Sequence, residues 1–277
     1  MNARIDTEID AAAYHRRPEI SNSFLTSWKR NALSAIYELE HPSEPTEAMI
    51  FGTQVHAAVL EPETFRKRFA VLPPLNLRTN ADKERKAKIV ATMGGEQFVL
   101  SQDRHAQIVE INASIQRHSR AKALLASVTQ REVSIFWRDE ASGVDCRCRM
   151  DALGGLILTD LKTTQDASVD AFQASIFNYG YHRQGAMYLR AARAVGLDIK
   201  HYSIIAIEKE APYGCNVFSL SPEAIAQGDR EIDDLLKQVS IWKQTGLVPG
   251  YAEHVVSASL PEWAWRRIEF EGANDNQ

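Results

Sequence analysis

The stretch DALGGLILTDLKTT, residues 151–164, predicts a buried strand that delivers charged side chains to one place. Three apolar residues at 156–158 follow a pair of glycines, which is typical of a strand entered through a turn. Asp160 and Lys162 follow in the same strand, and because side chains alternate between faces, these two point to the same side. Asp151 ends the preceding strand candidate, so a hairpin would bring it beside Asp160. Two carboxylates and an ammonium group at one strand end suit the binding of a divalent cation and the cleavage of a phosphodiester.

The composition is that of a soluble globular protein. Of the 277 residues, 44% are apolar and 25% are charged, and the length suits one large domain or one domain with an appendage. No apolar run approaches the ~20 residues of a membrane span. The first ten residues lack a basic-then-apolar signal pattern, so we expect a cytoplasmic protein without membrane contact. The net charge of −4 excludes a generally basic nucleic-acid binder but leaves room for a local basic groove.

The three cysteines, Cys146, Cys148 and Cys215, are too few for a disulfide framework. The Cys146-x-Cys148 pair lacks the second pair of ligands that a structural zinc site needs. We therefore interpret it as two small apolar side chains on one face of a strand.

The pattern along the chain predicts one domain over residues 1–270, with strands, then a helix, then strands again. This order favours an α+β or mixed α/β fold with a helix packed on a small sheet. A helical part is expected at about 20–127, a sheet core at about 130–220 and a C-terminal helix at 221–246. Residues 1–20 read as irregular, and 271–277 are expected to be a disordered tail.

Within this order, particular elements can be assigned from periodicity and capping residues. Helices are expected from Ser21 to about Glu40, from Thr46 to Leu60, as a pair over 101–127, and from Val169 to Val195. Strands are expected at Glu132–Trp137, Asp145–Asp151 and Leu156–Lys162, and as a hairpin of Tyr202–Glu208 with Tyr213–Leu220.

The second strand alternates clearly between an apolar and a charged face. Cys146, Cys148 and Met150 share one face, and Asp145, Arg147, Arg149 and Asp151 share the other. A face with two arginines and two aspartates is solvated, paired, or part of a site.

Candidate site residues also occur on two predicted helices. Tyr181, Gln184 and Tyr188 are spaced by three and four residues, so they form one stripe that either packs half-buried or faces the same cleft as the carboxylates. His56 lies one turn after Gly52, where the helix can approach another element closely. A lone helical histidine is more often structural or exposed than a ligand, and an Asp-x-Lys alone is more often a surface ion pair than a site.

Together these residues resemble a known family, the RecE-type exodeoxyribonucleases (exonuclease VIII). They belong to the RecB-like branch of the PD-(D/E)xK nuclease superfamily. The resemblance spans about Tyr14 to Trp265 and rests on ordered motifs: FGTQVHAAVLEP at 51–62, EVSIFW at 132–137, RMDA at 149–152, TDLKTT at 159–164, YGYHRQGAMY at 179–188 and AIEKEAPY at 206–213.

The resemblance implies a fold with a central mixed β-sheet flanked by helices, and it implies site roles. His56, Asp151 and Asp160 would be metal ligands, and Lys162, Gln184, Tyr188 and Glu132 would be catalytic. The sequence departs from the family pattern because Met150 replaces the proline before the first acid and the second acid is Asp160 rather than Glu.

The activity implied by the resemblance is Mg²⁺-dependent digestion of one strand, 5′→3′, from the ends of linear double-stranded DNA. Mn²⁺ is possible because imidazole suits it better than Mg²⁺. The product would be a 3′ single-stranded overhang for a RecT-like annealing protein in phage-type recombination, and the family forms a ring-shaped homotetramer.

Because the average charge is acidic, contacts with DNA must be concentrated in a groove or ring lumen. The candidates for these contacts are Arg78, Lys83, Arg85, Lys86, Arg147, Arg149 and Tyr181. Two alternatives remain open. One is another nuclease of the superfamily, either an endonuclease or a Cas4-like enzyme, although three scattered cysteines disfavour the four-cysteine iron–sulfur site of the latter. The other is an inactive nuclease fold that binds DNA ends.

Overall fold

The computed structural model describes residues 3–265 and contains a six-stranded mixed sheet. The strands are β1 (Arg4–Asp6), β2 (Ala70–Val71), β3 (Val99–Leu100), β4 (Gln130–Arg138), β5 (Asp145–Gly154), β6 (Ile157–Thr164), β7 (His201–Glu208) and β8 (Cys215–Ser219). Their order in the sheet is β1-β4-β5-β6-β7-β8, while β2 and β3 form a separate parallel pair. Within the large sheet, β6 and β7 are parallel and the other neighbours are antiparallel.

The helices flank this sheet and confirm the predicted fold class. They are α1 (Ala11–His15), α2 (Asn22–Arg30), α3 (Ala32–Glu40), α4 (Glu47–Leu60), α5 (Pro62–Arg68), α6 (Asn80–Met93), α7 (Gln102–Arg117), α8 (Ser119–Ala126), α9 (Val169–Asn178), α10 (Tyr181–Ala194) and α11 (Pro222–Thr245). Among the helices between residues 3 and 265, none combines the length and apolarity needed to cross a membrane.

Two apolar clusters lie on the two faces of the sheet. One packs α2, α10 and α11 against β4–β7, with Met150 and Leu158 among its members. The other packs α4, α7 and α8 against β6–β8, with Leu161 among its members. Leu158 and Leu161 enter opposite clusters, as the alternation of a regular strand requires. The sheet therefore separates α4 from α10, the two helices on which the sequence placed candidate site residues.

Two of the predicted long helices are each interrupted. The helix expected from Ser21 to Glu40 breaks at Asn31, which ends α2 and whose side chain caps α3 by accepting from the Ser34 N–H at 2.8 Å. Asparagine is a common N-cap residue, so Asn31 itself indicates the start of a new helix. The apolar periodicity alone does not reveal this break. The helix expected from Val169 to Val195 breaks at Gly180, which has a φ of 69°.

The expectation that residues 1–20 are irregular was wrong. β1 pairs antiparallel with β4, and Asp10 caps α1 by accepting from the Ala13 N–H at 2.8 Å. Elements this short do not extend over enough residues to show a periodic pattern in the sequence. They are held in place by contacts with the rest of the fold. The predicted tail at 271–277 lies outside the described residues.

Candidate active site

The site begins where β5 and β6 separate. Their ladder runs from the hairpin at Gly154–Ile157 only as far as the pair Ala152–Thr159. Beyond that pair, the Asp151 carboxylate accepts from the Leu161 N–H at 2.9 Å, and His56 Nε2 lies 2.6 Å from the Leu161 carbonyl oxygen. Hydrogen-bonding groups of one strand residue normally pair with a neighbouring strand. Here the side chains of Asp151 and His56 bond to Leu161 in place of a neighbouring strand. A carboxylate and an imidazole therefore lie in the gap between β5 and β6.

The backbone of β4 is also irregular at this level of the sheet. Glu132 has a φ of 50°, a region that residues with a side chain rarely adopt. It falls between the register pairs Arg131–Ala152 and Val133–Met150 and has no assigned partner itself. Such a conformation costs about 1–3 kcal/mol and is concentrated at functional sites. The strained residue Glu132 lies beside Asp151, so the strain occurs at the candidate site.

His56, Glu132 and Asp151 form a group that could hold a metal ion, since their ligand atoms all lie within 4.8 Å of one another. His56 Nδ1 lies 3.5 Å from Asp151 Oδ2. Because a carbonyl oxygen only accepts, the Leu161 contact places the proton of a neutral His56 ring on Nε2. That leaves the Nδ1 lone pair facing the carboxylates, which is the usual arrangement of a metal-binding histidine.

The donor set fits a divalent cation. Two carboxylates and one imidazole offer hard oxygen ligands with one nitrogen, which Mg²⁺ tolerates and Mn²⁺ accepts more readily. Glu132, predicted as catalytic, lies in this group with the predicted ligands His56 and Asp151. The third predicted ligand, Asp160, lies outside the group found among the described residues, and its role as a ligand remains a prediction.

Asp160 is instead the centre of a polar network with α10. Its fully buried carboxylate forms an ion pair with the Lys162 ammonium group and accepts from Gln184 Nε2 at 3.1 Å. Gln184 also donates to the Tyr188 hydroxyl at 2.7 Å. The stripe predicted on the second part of the long helix therefore reaches the strand that carries the acid and the lysine.

Negative charge is in excess at this site. Burial raises the pKa of Glu132 to about 8, and the neighbouring Asp151 charge adds to the shift. Burial also raises the pKa of Asp160 to about 6, although the Lys162 charge opposes it. Burial alone would lower the pKa of Lys162, but the carboxylates of Asp160 and Asp151 outweigh it and raise that pKa. Three clustered acids with one ammonium group form an environment that a cation would stabilise.

A cavity of about 470 Å³ opens over these groups. One wall comes from the N-terminal segment, which nothing in the sequence connects with the site, and from the start of α2. Tyr14 and His15 of α1 and the polar side chains around the start of α2 line this wall: Ser21, Asn22, Ser23 and Thr26. The sequence of Ser21–Arg30 predicts either a plain capped surface helix or a helix N-terminus that binds a 5′ phosphate, and the structure places Ser21 in the same cavity as His56.

Arg147 and Arg149, predicted to contact DNA, also line the cavity but bind the N-terminal segment. Arg147 is buried, and it donates to the carbonyls of Tyr14 and of Glu19, the latter at 3.0 Å. Arg149 donates to the carbonyl of Ile9 and, at 2.9 Å, to the hydroxyl of Ser134. Both arginines therefore hold the N-terminal segment in place through its backbone carbonyls.

The remaining predicted DNA contacts divide into two places. Tyr181 lines the cavity, with the Lys162 ammonium 5.1 Å from its ring centroid. The other four lie in the loop before α6 or on α6, outside the cavity lining: Arg78, Lys83, Arg85 and Lys86. Lys86 pairs with Glu96 at 3.0 Å. Contact of these residues with DNA remains a prediction.

A family model described as a PDDEXK-like domain of unknown function (DUF3799) matches residues 21–260. The chain belongs to this family. Membership places it in the PD-(D/E)xK superfamily, which uses divalent metals, without assigning it to the RecE type.

One similar solved structure is that of a candidate exonuclease from Eubacterium rectale. It is 14% identical, covers 94% of this chain and 98% of that chain, and has a TM-score of 0.62, so it shows the shared fold. Protein VC1899 from Vibrio cholerae is 10% identical, covers 88% of this chain and 59% of that chain, and has a TM-score of 0.21, which supports no argument. A search of curated proteins found no significant match.

Proposed function

We propose that this protein is a metal-dependent DNA exonuclease that degrades one strand, 5′→3′, from the ends of linear duplexes. The observation that carries the proposal is that His56, Glu132, Asp151 and Lys162 line one cavity, and that Lys162 is paired with the buried Asp160. Membership of the PDDEXK-like family and the fold shared with the Eubacterium rectale protein, itself described as a candidate exonuclease, support a nuclease.

His56, Glu132 and Asp151 would hold the cation, for which Mg²⁺ is the first choice and Mn²⁺ the second. When bound, the cation would supply Lewis-acid stabilisation of the phosphoryl oxygens and a more acidic water. Lys162 reaches the cavity with its ammonium group, which Asp160 holds in the charged form. A charge fixed in this position stabilises the negative charge that develops on the phosphoryl group.

The residues of α10 position this lysine. Gln184 donates to Asp160 and to Tyr188, so the orientation of the carboxylate is set by α10, the helix on the face of the sheet opposite α4. Both N–H groups of Gln184 Nε2 are used in these two hydrogen bonds. Such a network keeps the side chains in one geometry.

The finer assignments rest on the sequence resemblance to RecE-type enzymes. They include a 3′ overhang as product, delivery to a RecT-like annealing protein, a homotetrameric ring and a cytoplasmic role in phage-type recombination. An inactive fold that binds DNA ends is less well supported, because the predicted catalytic residue types are all present and three of them converge on one cation position.

Duplexes labelled separately at the 5′ and 3′ ends test the proposal directly. We expect release of 5′-terminal nucleotides in Mg²⁺, and a loss on the order of a hundredfold or more in Lys162→Ala. Lys67→Ala is the matched control, because Lys67 is an exposed lysine of α5. Equal turnover by Lys162→Ala would refute the site. Cleavage of closed circular DNA would indicate an endonuclease, and tight end binding without turnover in either metal would indicate a binding module.

A further inference from the structure

An exposed tyrosine stands at the rim of the catalytic cavity. Tyr179, which follows α9, is 63% exposed and lines the cavity. Its ring centroid lies 5.7 Å from that of Tyr181, with the planes inclined by 28°. The Tyr181 ring in turn lies against the Lys162 ammonium group. Two stacked rings therefore lead from the catalytic ammonium group to the mouth of the cavity.

The turn that carries Tyr179 is held in one conformation. The Tyr179 N–H donates to the Ser175 carbonyl at 2.9 Å, and the Gly180 N–H donates to the Phe177 carbonyl at 3.2 Å. Gly180 has a positive φ, and a Cβ at this position would collide with the guanidinium group of Arg183. Arg183 is itself fixed by Glu231 at 2.8 Å. Since the ring is already placed, a ligand that stacks on it incurs little ordering cost.

The chemistry around the ring selects its ligand. The proposed function requires a phosphate group close to Lys162, and a nucleotide that carries this phosphate brings its base toward the stacked rings of Tyr181 and Tyr179. A nucleobase has the flat π-face that stacks on an aromatic ring, and such stacking contributes about 1–3 kcal/mol per base with little dependence on sequence. Inside a duplex, both faces of a base are covered by its neighbours. A free face exists only at a strand end or in an unpaired segment.

We propose that Tyr179 stacks on the base of the nucleotide next to the scissile phosphate and thereby selects strand ends and unpaired strands over internal duplex. This inference rests on the proposed function, and it gives a specificity-determining role to the first residue of the motif at 179–188, for which the sequence predicts no role. Tyr179 acts on the base, whereas Lys162 acts on the phosphate.

The test uses duplexes with 2-aminopurine as the terminal base, bound in Ca²⁺ so that binding is read without turnover. Stacking quenches the fluorescence of this base. Tyr179→Ala is expected to weaken end binding roughly 5- to 150-fold and to abolish the quenching. Tyr179→Phe should behave as the wild type. Tyr37→Ala is the matched control, because Tyr37 on α3 is 64% exposed, stacks on His41 and does not line the cavity.

A second arm uses a terminal abasic site. The wild type should lose as much affinity for the abasic duplex as Tyr179→Ala loses for the intact one, and the variant should lose nothing more. Unchanged affinity and unchanged quenching in Tyr179→Ala would overturn the inference, even if the enzyme cleaves DNA normally. A wild type that quenches terminal 2-aminopurine but never cleaves would overturn the exonuclease proposal and support the stacking. A wild type that does not bind DNA ends would overturn both.

Discussion

His56 Nε2 lies 2.6 Å from the carbonyl oxygen of Leu161, and this contact decides which nitrogen of the ring faces the carboxylates. The carbonyl belongs to the same strand residue whose N–H is taken by Asp151. One backbone position therefore orients both an imidazole and a carboxylate toward the same point. Both contacts are made to the protein backbone, so the separation of β5 from β6 preorganises the two side chains.

We expect His56→Ala to lower the affinity for Mn²⁺ at least tenfold, because it removes a nitrogen donor from the group of three. Calorimetric titration with Mn²⁺ measures the change. His41→Ala is the control, since His41 is an exposed histidine that stacks on Tyr37. Equal Mn²⁺ affinity in wild type and His56→Ala would show that the cation is held elsewhere.

The pKa of Glu132 predicts how metal binding depends on pH. With a pKa of about 8, raised chiefly by burial, the carboxyl group holds a proton at neutral pH when no cation is present. A divalent cation must displace that proton, so affinity should rise as the pH increases from 6 to about 8. Titrations in buffers of different ionisation enthalpy should reveal proton release near pH 7. Glu132→Gln should remove most of this release, and an identical release in the variant would contradict the assignment.

The raised pKa of Glu132 also makes the stability of the fold depend on pH. The folded pKa of Glu132 lies above its ordinary value of 4.5, so the folded state binds the proton more tightly than the unfolded state. The stabilisation is complete below about pH 4.5 and is lost as the pH rises through about 8. In metal-free protein, the free energy of unfolding of the wild type relative to Glu132→Gln should therefore fall across this window. Urea unfolding at pH 5, 7 and 8.5 measures it, and a difference that stays constant with pH would refute the shift.

Glu231 gives the opposite pH dependence on another part of the fold. Partial burial would raise its pKa, but bonds from Lys29, Arg183, Gln227 and His182 outweigh this and lower it to about 2. The stabilisation is present above its ordinary value of 4.5 and is lost as the pH falls toward 2. Glu231→Gln should cost roughly 2–3 kcal/mol at pH 7, allowing for the partial exposure of the group. Unfolding at pH 7 and pH 3 tests this, and a cost that does not shrink at low pH would contradict it.

The sequence predicted the fold class and most of the strands because those features are local. Alternation in 145–151 and the glycine pair before 156 mark a buried hairpin, and Ser221 and Gly246 bound α11 as expected. The position of Glu132 could not be predicted with the same certainty, because its role depends on a positive φ within a strand. The wall formed by Tyr14 and His15 was missed for a related reason: nothing local to residues 1–20 shows that Arg147 holds them against the sheet.

The two groups of predicted DNA contacts should respond differently to substitution. Arg147 donates to backbone carbonyls of the N-terminal segment, so Arg147→Ala should lower the free energy of unfolding by about 1.5–3 kcal/mol.

Lys83 and Arg85 lie exposed on α6, so their joint replacement by alanine should leave stability unchanged. If they contact phosphates, the slope of log affinity against log salt should become shallower by about 2, one unit per contact. Urea unfolding and duplex-end binding from 50 to 300 mM salt, roughly the range over which phosphate contacts respond, measure both effects. An unchanged salt slope would remove α6 from the DNA-binding surface. An Arg147→Ala protein of wild-type stability but reduced salt slope would assign Arg147 to DNA rather than to the N-terminal segment.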